Sequence, residues 1–319
     1  MSRSDVPTSA PLDDLFADAI ERAAVSVVSV HARTRLPATG TVWRAENGAS
    51  GGIVVTASHT VEREEEITVG IGGGTPIPAT LLGRDFNTDL AVLQIDETPG
   101  SPIDERVAPS RVGNLVFAVG RPFGSITATF GSITAIAPVP VSKVEAPLLI
   151  AAEVTPLPGF SGGPLIGSDG SAHGINTSGL VRSGVLLSSG RGFVTIPAAQ
   201  VSAVVADIVR YGHVRCGWIG VGVKPVELPD ELRNHLGGQE SGLMVTEVKP
   251  ESPATGHLAI GDTLVMMGDD NHPLTDVGDL QQLLGSRQIG KPTMLTFIRN
   301  GAVETAEITP IERPERLRC

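Results

Sequence analysis

The hydrophobic positions of the chain follow two different periods. Between residues 12 and 24 apolar side chains recur every three to four positions, which predicts an amphipathic helix. From residue 25 onward, short runs rich in β-branched residues replace this period; they lie at 25–30, 53–56, 67–71, 90–95, 115–119 and 126–136. Clusters of Gly, Pro, Asn and Asp separate these runs. This pattern is typical of an all-β barrel or sandwich.

A second helical period over 197–211, followed by Gly212, closes this β region. Beyond it charged residues become more frequent, short strands are predicted at 243–248, 294–298 and 302–308, and one helix is predicted at 276–284. This mixture indicates a small α+β domain. The predicted organisation is a helical arm over 1–24, a mostly β domain over 25–212, a second domain over 213–310 and a tail over 311–319.

Composition and charge narrow the class of partner. The chain has 24 Lys and Arg against 35 Asp and Glu, a formal net charge of −11, and such a surface repels nucleic acid and anionic membranes. We therefore expect no nucleic-acid partner. Glycine and proline, 38 and 24 of 319 residues, indicate many tight turns and exclude a helix bundle. The sequence has no run of 18 apolar residues, so we expect no integral membrane segment.

Two cysteines, Cys216 and Cys319, are too few for a disulfide framework or a four-ligand zinc site. We expect neither a metal nor another cofactor. The N-terminal residues lack the apolar stretch of a signal peptide. The expected location is the cytoplasm if the chain is whole, and the periplasm or another extracytoplasmic space if a leader has been removed.

The strongest local signal for chemistry is the hexapeptide Gly-Phe-Ser-Gly-Gly-Pro at 159–164, which contains Ser161. A serine between glycines can approach a substrate carbonyl without hindrance from neighbouring side chains. Backbone N–H groups in such a turn can also point at one oxyanion. The alternative interpretation is an ordinary Gly/Pro turn that happens to contain a serine.

Two further residues could activate this serine, because a serine nucleophile needs a base that a third group orients. Among the seven histidines, His59 follows a strongly apolar run, and Asp89 is a lone carboxylate at the head of another such run. Taken singly, they could be a hydrogen-bonded core histidine and a turn aspartate, since a buried carboxylate needs a partner. With Ser161 they indicate a Ser-His-Asp triad.

The order of these motifs resembles that of the trypsin-like serine proteases, and within them the HtrA (high-temperature-requirement) family. The resemblance rests on Thr-Ala-Ser-His at 56–59, Thr-Asp-Leu-Ala-Val-Leu at 88–93 and Gly-Phe-Ser-Gly-Gly-Pro-Leu at 159–165, with further matches at 111–114, 118–124, 174–177 and 192–197. It covers nearly the whole chain. It implies a mostly β fold, with a chymotrypsin-like double β-barrel protease domain followed by a small α+β PDZ domain.

The resemblance also implies the roles of the site residues. Ser161 would attack the scissile carbonyl, His59 would take the proton and return it to the leaving amine, and Asp89 would fix the imidazole. The N–H groups of Gly159 and Ser161 would form the oxyanion hole. Phe160 departs from the pattern, because the family usually has Asn there, and this could change how the oxyanion loop settles. Arg121 likewise stands where Asn is typical.

The substrate pocket is assigned by resemblance to Thr155, Asn176 and Thr177. Related enzymes that cut after Arg or Lys place an acid six residues before the nucleophile, and this chain has Thr155 there. A preference for basic residues is therefore not expected. The family implies small or medium aliphatic residues before the cut, in unfolded or extended protein segments.

The second domain resembles a PDZ module. The run Gly217-Trp218-Ile219-Gly220 looks like its carboxylate-binding loop, in which successive N–H groups capture a peptide C-terminus. The peptide would add as a strand beside the helix predicted at 276–284. The alternative is a generic small α+β domain with a glycine-rich turn.

The implied function is an ATP-independent serine endopeptidase of protein quality control that cleaves unfolded or misfolded proteins and is regulated through its PDZ domain. One alternative is a catalytically silent HtrA-like protein that binds and holds peptides. A second is an α/β-hydrolase, because Gly-x-Ser-x-Gly also fits its nucleophile elbow, although Gly162-Gly163-Pro164 is a poor helix start.

Family members commonly form homotrimers through the N-terminal segment, which implies such a trimer here. Leu12, Leu15 and Phe16 offer an apolar face for it. The alternative is that this face packs on the protease barrel of its own chain.

Overall fold

The computed structural model describes residues 12–45, 51–72, 74–97, 99–138, 148–182 and 193–314. The chain divides into two compact units. One holds the residues up to Ala137 and from Leu148 to His213, and the other holds the chain from Val214. Cys319 and the first eleven residues lie outside the described part.

Two closed six-stranded barrels form the first unit, which confirms the predicted double-barrel fold. The first barrel follows the strand order β1-β2-β3-β6-β5-β4 and consists of β1 (Val27–His31), β2 (Ala38–Trp43), β3 (Gly52–Ala57), β4 (Ile67–Gly70), β5 (Ile77–Asp85) and β6 (Leu90–Ile95). Its core is rich in valine, including Val28, Val30 and Val54. β-branched side chains suit the pleated surface of a strand, which explains why these runs form sheet.

The second barrel follows the order β10-β11-β12-β9-β8-β7. Its strands are β7 (Leu115–Gly120), β8 (Thr127–Pro138), β9 (Leu148–Glu153), β10 (Pro164–Gly167), β11 (Ala172–Thr177) and β12 (Val194–Pro197). Phe160 and Phe193 lie in its core beside Leu165 and Ile150. β10 begins three residues after Ser161, which places the candidate nucleophile at the rim of this barrel.

Helices flank the barrels. α1 (Leu12–Ala24) has the predicted bounds, and its Phe16 packs on Phe117 and Phe130 with ring centroids 5.2 and 5.6 Å away. α2 (Gly179–Arg182) follows β11, and α3 (Ala198–Tyr211) contacts β5, β6 and β11. α3 ends where predicted, because Gly212 adopts the left-handed conformation with φ 76°.

Arg121 ties α1 to the barrels from a buried position. Its guanidinium donates hydrogen bonds to the carbonyls of Ala24 (2.9 Å), Val27 (2.7 Å) and Gly124 (3.2 Å). Burial lowers the pKa of this side chain. The residue that departs from the family pattern thus holds the end of α1 and the start of β1 against the turn after β7.

The second unit contains helices, a six-stranded sheet in the order β14-β15-β16-β18-β19 with β17 paired to β16, and a two-stranded sheet of β13 and β20. Its elements are β13 (Gly217–Trp218), β14 (Val221–Glu227), α4 (Asp230–His235), β15 (Ser241–Val248), β16 (Thr263–Met267), β17 (His272–Pro273), α5 (Val277–Leu283), β18 (Thr293–Arg299), β19 (Ala302–Ile308) and β20 (Ile311–Glu312). Leu243, Leu264 and Leu280 lie in one core, which joins the sheet to α5. β14 is the edge strand of this sheet.

Candidate active site

His59 and Asp89 meet because their strands are paired. β3 and β6 are antiparallel, with Ala57 opposite Leu90. His59 lies in the short 3-10 helix Ser58–Thr60 that follows β3, and Asp89 immediately precedes β6. The antiparallel register therefore brings the end of one strand and the start of the other to the same point at the barrel rim.

The Asp89 carboxylate binds His59 twice. Its Oδ1 accepts the His59 backbone N–H at 2.8 Å, and its Oδ2 accepts the ring Nδ1–H at 2.6 Å. Asp89 is 7% exposed and has φ 55°, a left-handed conformation that aspartate adopts more readily than most non-glycine residues. Because an ionised carboxylate can only accept, the proton of neutral His59 resides on Nδ1, and Nε2 is left as an acceptor.

The last residue of β11, Thr177, and Gly179 just beyond it complete the surroundings of this carboxylate. The Thr177 hydroxyl donates a short hydrogen bond to Asp89 Oδ2, and Gly179 N–H donates to the Thr177 hydroxyl at 2.9 Å. A side chain at position 179 would overlap the Asp89 carboxylate and come within 3.0 Å of His59 Nδ1. Glycine is therefore required there. The sequence pattern did not single out Gly179, although a small residue in the polar run after a buried strand was its visible signal.

Arg84 fixes the backbone that carries His59. Its guanidinium donates to the carbonyls of Ser58 at 3.2 Å and Val61 at 2.8 Å, one on each side of the 3-10 turn. The Ser58 N–H in turn donates to the Asp89 carbonyl at 2.8 Å. The candidate base is thus held through its backbone as well as through its ring.

The turn that carries Ser161 is shaped by glycines. Gly159 and Gly162 have φ values of 85° and 89°, which favour glycine. Side chains at these positions would also overlap Pro122 and the Thr39 carbonyl, respectively. Ser161 is 6% exposed at the centre of this turn.

Threonines of β2 hold this turn from the first barrel. The Thr39 hydroxyl donates to the Gly159 carbonyl at 2.7 Å, and the Thr41 hydroxyl donates to the Gly162 carbonyl at 3.0 Å. The Thr39 N–H donates to the Ser161 carbonyl at 3.3 Å. These polar groups are buried or partly buried, and all are paired, so the turn is fixed to the barrel that also carries His59.

Phe160, the departure inside the hexapeptide, points into the core of the second barrel. It is fully buried and stacks on Phe193 with the rings 6.3 Å apart and 9° from parallel. Its N–H donates to the Leu157 carbonyl at 3.2 Å. An apolar side chain therefore anchors the candidate oxyanion loop.

Ser161 reaches His59 through a third side chain. Ser161 Oγ lies 3.2 Å from Ser178 Oγ, and Ser178 Oγ lies 3.4 Å from His59 Nε2. Within the described residues no direct hydrogen bond joins Ser161 Oγ to His59 Nε2. Sequence reasoning did not single out Ser178.

The side chains of Ser161, Ser178 and His59 line one cleft of about 330 Å³. Its wall is formed by Arg33, Arg35, Leu36, His59, Thr60, Pro156, Leu157, Pro158, Gly159, Ser161, Ser178 and Phe193. Asp89 lies behind His59. The structure thus brings the three residues of the predicted triad to one site and adds Ser178 to it.

The residues assigned to the substrate pocket lie elsewhere. Asn176 and Thr177 are fully buried, and Thr155 is exposed; none of them lines the cleft. Asn176 accepts a hydrogen bond from Thr195 at 2.7 Å, and Thr177 supports Asp89. The pocket assignment stays a prediction, while the cleft walls come from 33–36 and 156–159.

The loop assigned to a peptide carboxylate lies at the start of the second unit. Gly217 N–H donates to the Leu284 carbonyl at 2.5 Å, and Ile219 is buried in the core of this unit. Gly220 has φ 85°, and a side chain there would overlap Ser252. The loop leads directly into the edge strand β14.

Two more properties of the described part of the chain bear on its chemistry. In that part, no three His, Cys, Asp or Glu side chains are grouped so that they could hold a metal ion. None of its helices has both the length and the apolar character needed to cross a membrane.

Comparison with known proteins defines the class. Residues 38–175 match the trypsin-like peptidase domain family, and residues 217–309 match the PDZ domain family. A solved serine endoprotease from Yersinia pestis has 28% sequence identity and a TM-score of 0.69, and the match covers 97% of this chain and all of the other. The HtrA-type protease AlgW with a decapeptide has 26% identity and a TM-score of 0.71, over 94% of this chain and 99% of the other.

The chain therefore combines a trypsin-like peptidase domain with a PDZ domain. A probable periplasmic serine endoprotease of DegP-like type from Halomonas elongata is 34% identical over 274 residues, 83% of this chain and 55% of the relative. A DegP-like relative from Pseudomonas putida is 31% identical over 82% of this chain and 54% of the relative. This chain belongs to the HtrA family of serine proteases. It spans about half the length of these curated relatives.

Proposed function

We propose that this chain is a serine endopeptidase in which Ser161 is the nucleophile, His59 the general base and Asp89 the residue that orients the base. The observation that carries the proposal is the pair of hydrogen bonds between His59 and Asp89 beside a cleft that also contains Ser161. With Nδ1–H donated to Asp89, His59 Nε2 has the lone pair that the reaction needs.

The proposed reaction begins when Ser161 Oγ attacks the scissile carbonyl carbon and its proton passes to His59 Nε2. The C–N bond then breaks, and the imidazolium gives its proton to the leaving amine. Water next attacks the acyl group on Ser161 while His59 takes a water proton. That proton returns to Ser161 Oγ as the carboxylic acid leaves. Asp89 stays ionised throughout and stabilises the imidazolium.

The oxyanion hole is proposed to consist of the Gly159 and Ser161 N–H groups. In the described part of the chain neither N–H donates to a backbone carbonyl, which supports their use by a substrate oxygen. The bond from Thr39 orients the peptide between residues 159 and 160, and the bond from Thr41 orients the peptide after Gly162. One such donor contributes roughly 10²- to 10³-fold to the rate in enzymes of this kind.

The proposed substrates are unfolded or misfolded proteins, as expected of protein quality control. His59 and Ser161 both line the cleft, which supports binding of an accessible, unfolded protein segment there. Water is the only co-substrate of the triad reaction, so the proposed activity needs no ATP.

The PDZ domain is proposed to bind peptide C-termini and thereby regulate the protease. Among the residues that the structure describes, β14 pairs in its sheet with β15 alone, which supports the addition of a peptide strand at its outer edge. Val221 and Val223 on β14 and Val277 on α5 are half-buried against the same core, which suits an apolar terminal side chain.

Self-association, as a homotrimer, is proposed from the apolar surface at α1. Phe16 packs on the barrel, yet Leu12, Leu15 and Phe130 remain 63%, 45% and 53% exposed. Replacement of Leu12 and Leu15 by serine is expected to reduce the mass measured by light scattering. An unchanged mass would contradict the role of this surface.

A serine-reactive fluorophosphonate tests the proposed function. We expect covalent labelling of the native chain at Ser161, no labelling of Ser161→Ala, and cleavage of an unfolded protein by the native chain alone. His59→Ala should be cleavage-deficient while it keeps the native melting temperature. Labelling that depends on an added peptide ligand would indicate a PDZ-gated enzyme. Absence of labelling in a folded protein would favour the silent, peptide-holding alternative.

A further inference from the structure

The Ser178 hydroxyl occupies the position through which the nucleophile must reach its base. Its oxygen lies 3.2 Å from Ser161 Oγ and 3.4 Å from His59 Nε2. We propose that Ser178 is a latch that keeps the nucleophile and the base uncoupled in the unliganded protease, and that a bound substrate displaces it. This inference rests on the proposed function.

The direction of the hydrogen bonds follows from the surrounding groups. His59 donates Nδ1–H to Asp89, so Nε2 of the neutral ring can only accept. Ser178 must therefore donate its one proton to His59 and accept from Ser161. The proton of Ser161 then points at a hydroxyl oxygen, which is a far weaker base than an imidazole nitrogen, and the nucleophile is not activated.

The backbone on both sides of Ser178 is fixed, so this placement is a property of the fold. Thr177 is paired with Val194 in the barrel and bonded to Asp89. Gly179 N–H donates to the Thr177 hydroxyl, and the Cα of Gly179 stands against the Asp89 carboxylate. The backbone of Ser178 cannot shift away from His59 without disturbing the residues that hold Asp89.

The latch is weak enough to open. Its separations of 3.2 Å from Ser161 Oγ and 3.4 Å from His59 Nε2 exceed the range of about 2.5–3.0 Å that is usual for hydroxyl donors, so both hydrogen bonds are weak. Ser178 also forms part of the cleft wall, so a substrate segment in the cleft contacts it. Rotation of the Ser178 side chain would free His59 Nε2 to accept the proton of Ser161. The displacement is then part of substrate binding and raises KM, with little effect on kcat.

The test compares Ser178→Ala, which removes the hydroxyl, with Ser178→Thr, which keeps one. The second-order rate of fluorophosphonate labelling should rise about three- to tenfold in Ser178→Ala, the range set by one weak neutral hydrogen bond, and stay near the native rate in Ser178→Thr. With a peptide substrate, Ser178→Ala should lower KM by the same factor and leave kcat within about twofold.

Three results would overturn the latch. Equal labelling rates for native protein and Ser178→Ala would show that the hydroxyl does not restrain Ser161. A lower kcat in Ser178→Ala, restored by Ser178→Thr, would make Ser178 a proton relay instead. If neither the native protein nor Ser178→Ala is labelled, both the latch and the proposed function are contradicted. If the native protein is labelled and Ser178→Ala is not, only the latch is contradicted. Ser178→Gly repeats the measurement if Ser178→Ala is not stably folded.

Discussion

The ring of Phe160 lies directly against the backbone of Gly120. A Cβ added at position 120 would be 2.6 Å from the nearest ring carbon, closer than packed atoms approach. Gly120 ends β7, and Phe160 precedes Ser161. The absence of a side chain on one strand therefore makes room for the aromatic anchor of the candidate oxyanion loop.

Gly120→Ala should destabilise the first unit by about 1–3 kcal/mol, because the ring sits in a packed core that must give way. Urea unfolding measures this. Gly70→Ala is the matched control, since a Cβ there meets only Ser29 Oγ at 3.5 Å. The double variant with Phe160→Leu and Gly120→Ala should lose less free energy of unfolding than the two single variants lose in sum. Strict additivity would show that the two residues do not press on each other.

Gly179→Ala should reduce kcat roughly 100-fold, because its Cβ would push the Asp89 carboxylate away from His59 and a displacement of about 1 Å costs that much. The melting temperature should change little by comparison. Steady-state cleavage of a peptide, with Gly70→Ala as the control, measures this loss. A fully active Gly179→Ala would mean that the contact between Asp89 and position 179 does not constrain the triad.

Stability should fall in mild acid because of His173. This side chain is 3% exposed on β11, and its Nδ1 lies 2.7 Å from the Ser110 hydroxyl. Burial, and secondarily Arg106, lower its pKa to about 4, while Asp169 opposes this weakly. The unfolded chain binds a proton near pH 6.5, where the folded chain does not. The contribution of neutral His173 to the free energy of unfolding is thus fully present above pH 6.5 and is lost as the pH falls towards 4.

The expected loss is about 3 kcal/mol across that window, from 1.36 kcal/mol per pKa unit. Urea unfolding at a series of pH values measures it. His173→Gln, which does not titrate, should flatten this part of the pH profile relative to the native protein. Parallel profiles for the two proteins would remove His173 as the cause.

Arg33 is expected to favour acidic side chains on the C-terminal side of the cut bond. The N–H groups of Glu62 and Arg63 donate to the Ala32 carbonyl, so the 33–36 loop lies beside the segment that follows His59. In the proposed mechanism the leaving amine departs towards His59, which would bring the residues after the cut to this loop. Arg33 lines the cleft there, whereas neighbouring Arg35 already pairs with Glu62 at 2.8 Å.

Cleavage profiles of a peptide library measure this preference. Arg33→Gln should reduce it by no more than about fivefold, because exposed ion pairs contribute about 1 kcal/mol or less. Arg63→Gln is the matched control, since Arg63 bonds to the carbonyls of His31 and Glu66 outside the cleft. An unchanged profile in Arg33→Gln would exclude Arg33 from substrate selection.

Hydrophobic periodicity was sufficient to predict much of the fold. The bounds of α1, β6 and β19 agree with the predicted segments, because each combines a clear period with a turn residue at its end. β2 was not singled out. All six of its residues are buried, but two are the threonines that hold the Ser161 turn, so it shows no apolar run. Its polar content reflects contacts made with the other barrel.

The three residues of the proposed triad, which the structure brings to one site, could be singled out from sequence because each stands beside its own apolar strand. Gly179 and Ser178 could not, since their importance lies in contacts with Asp89 and His59, some ninety to 120 positions earlier in the chain. Thr177 was assigned to the substrate pocket by resemblance, and its contact with Asp89 was likewise not predicted. Its neighbour in space, Asp89, is not visible from its neighbours in sequence.

The composition of β14 restricts what it can offer to an added strand. The strand contains Lys224 and Pro225, and proline has no N–H to contribute to a ladder. A peptide paired with this edge would therefore receive no main-chain N–H from position 225. Charge and proline at an open edge also discourage sheet-to-sheet aggregation between copies of the chain. Pro225 thus removes one hydrogen-bond donor from the peptide-binding edge, and together with Lys224 it disfavours pairing of this edge with another copy of the chain.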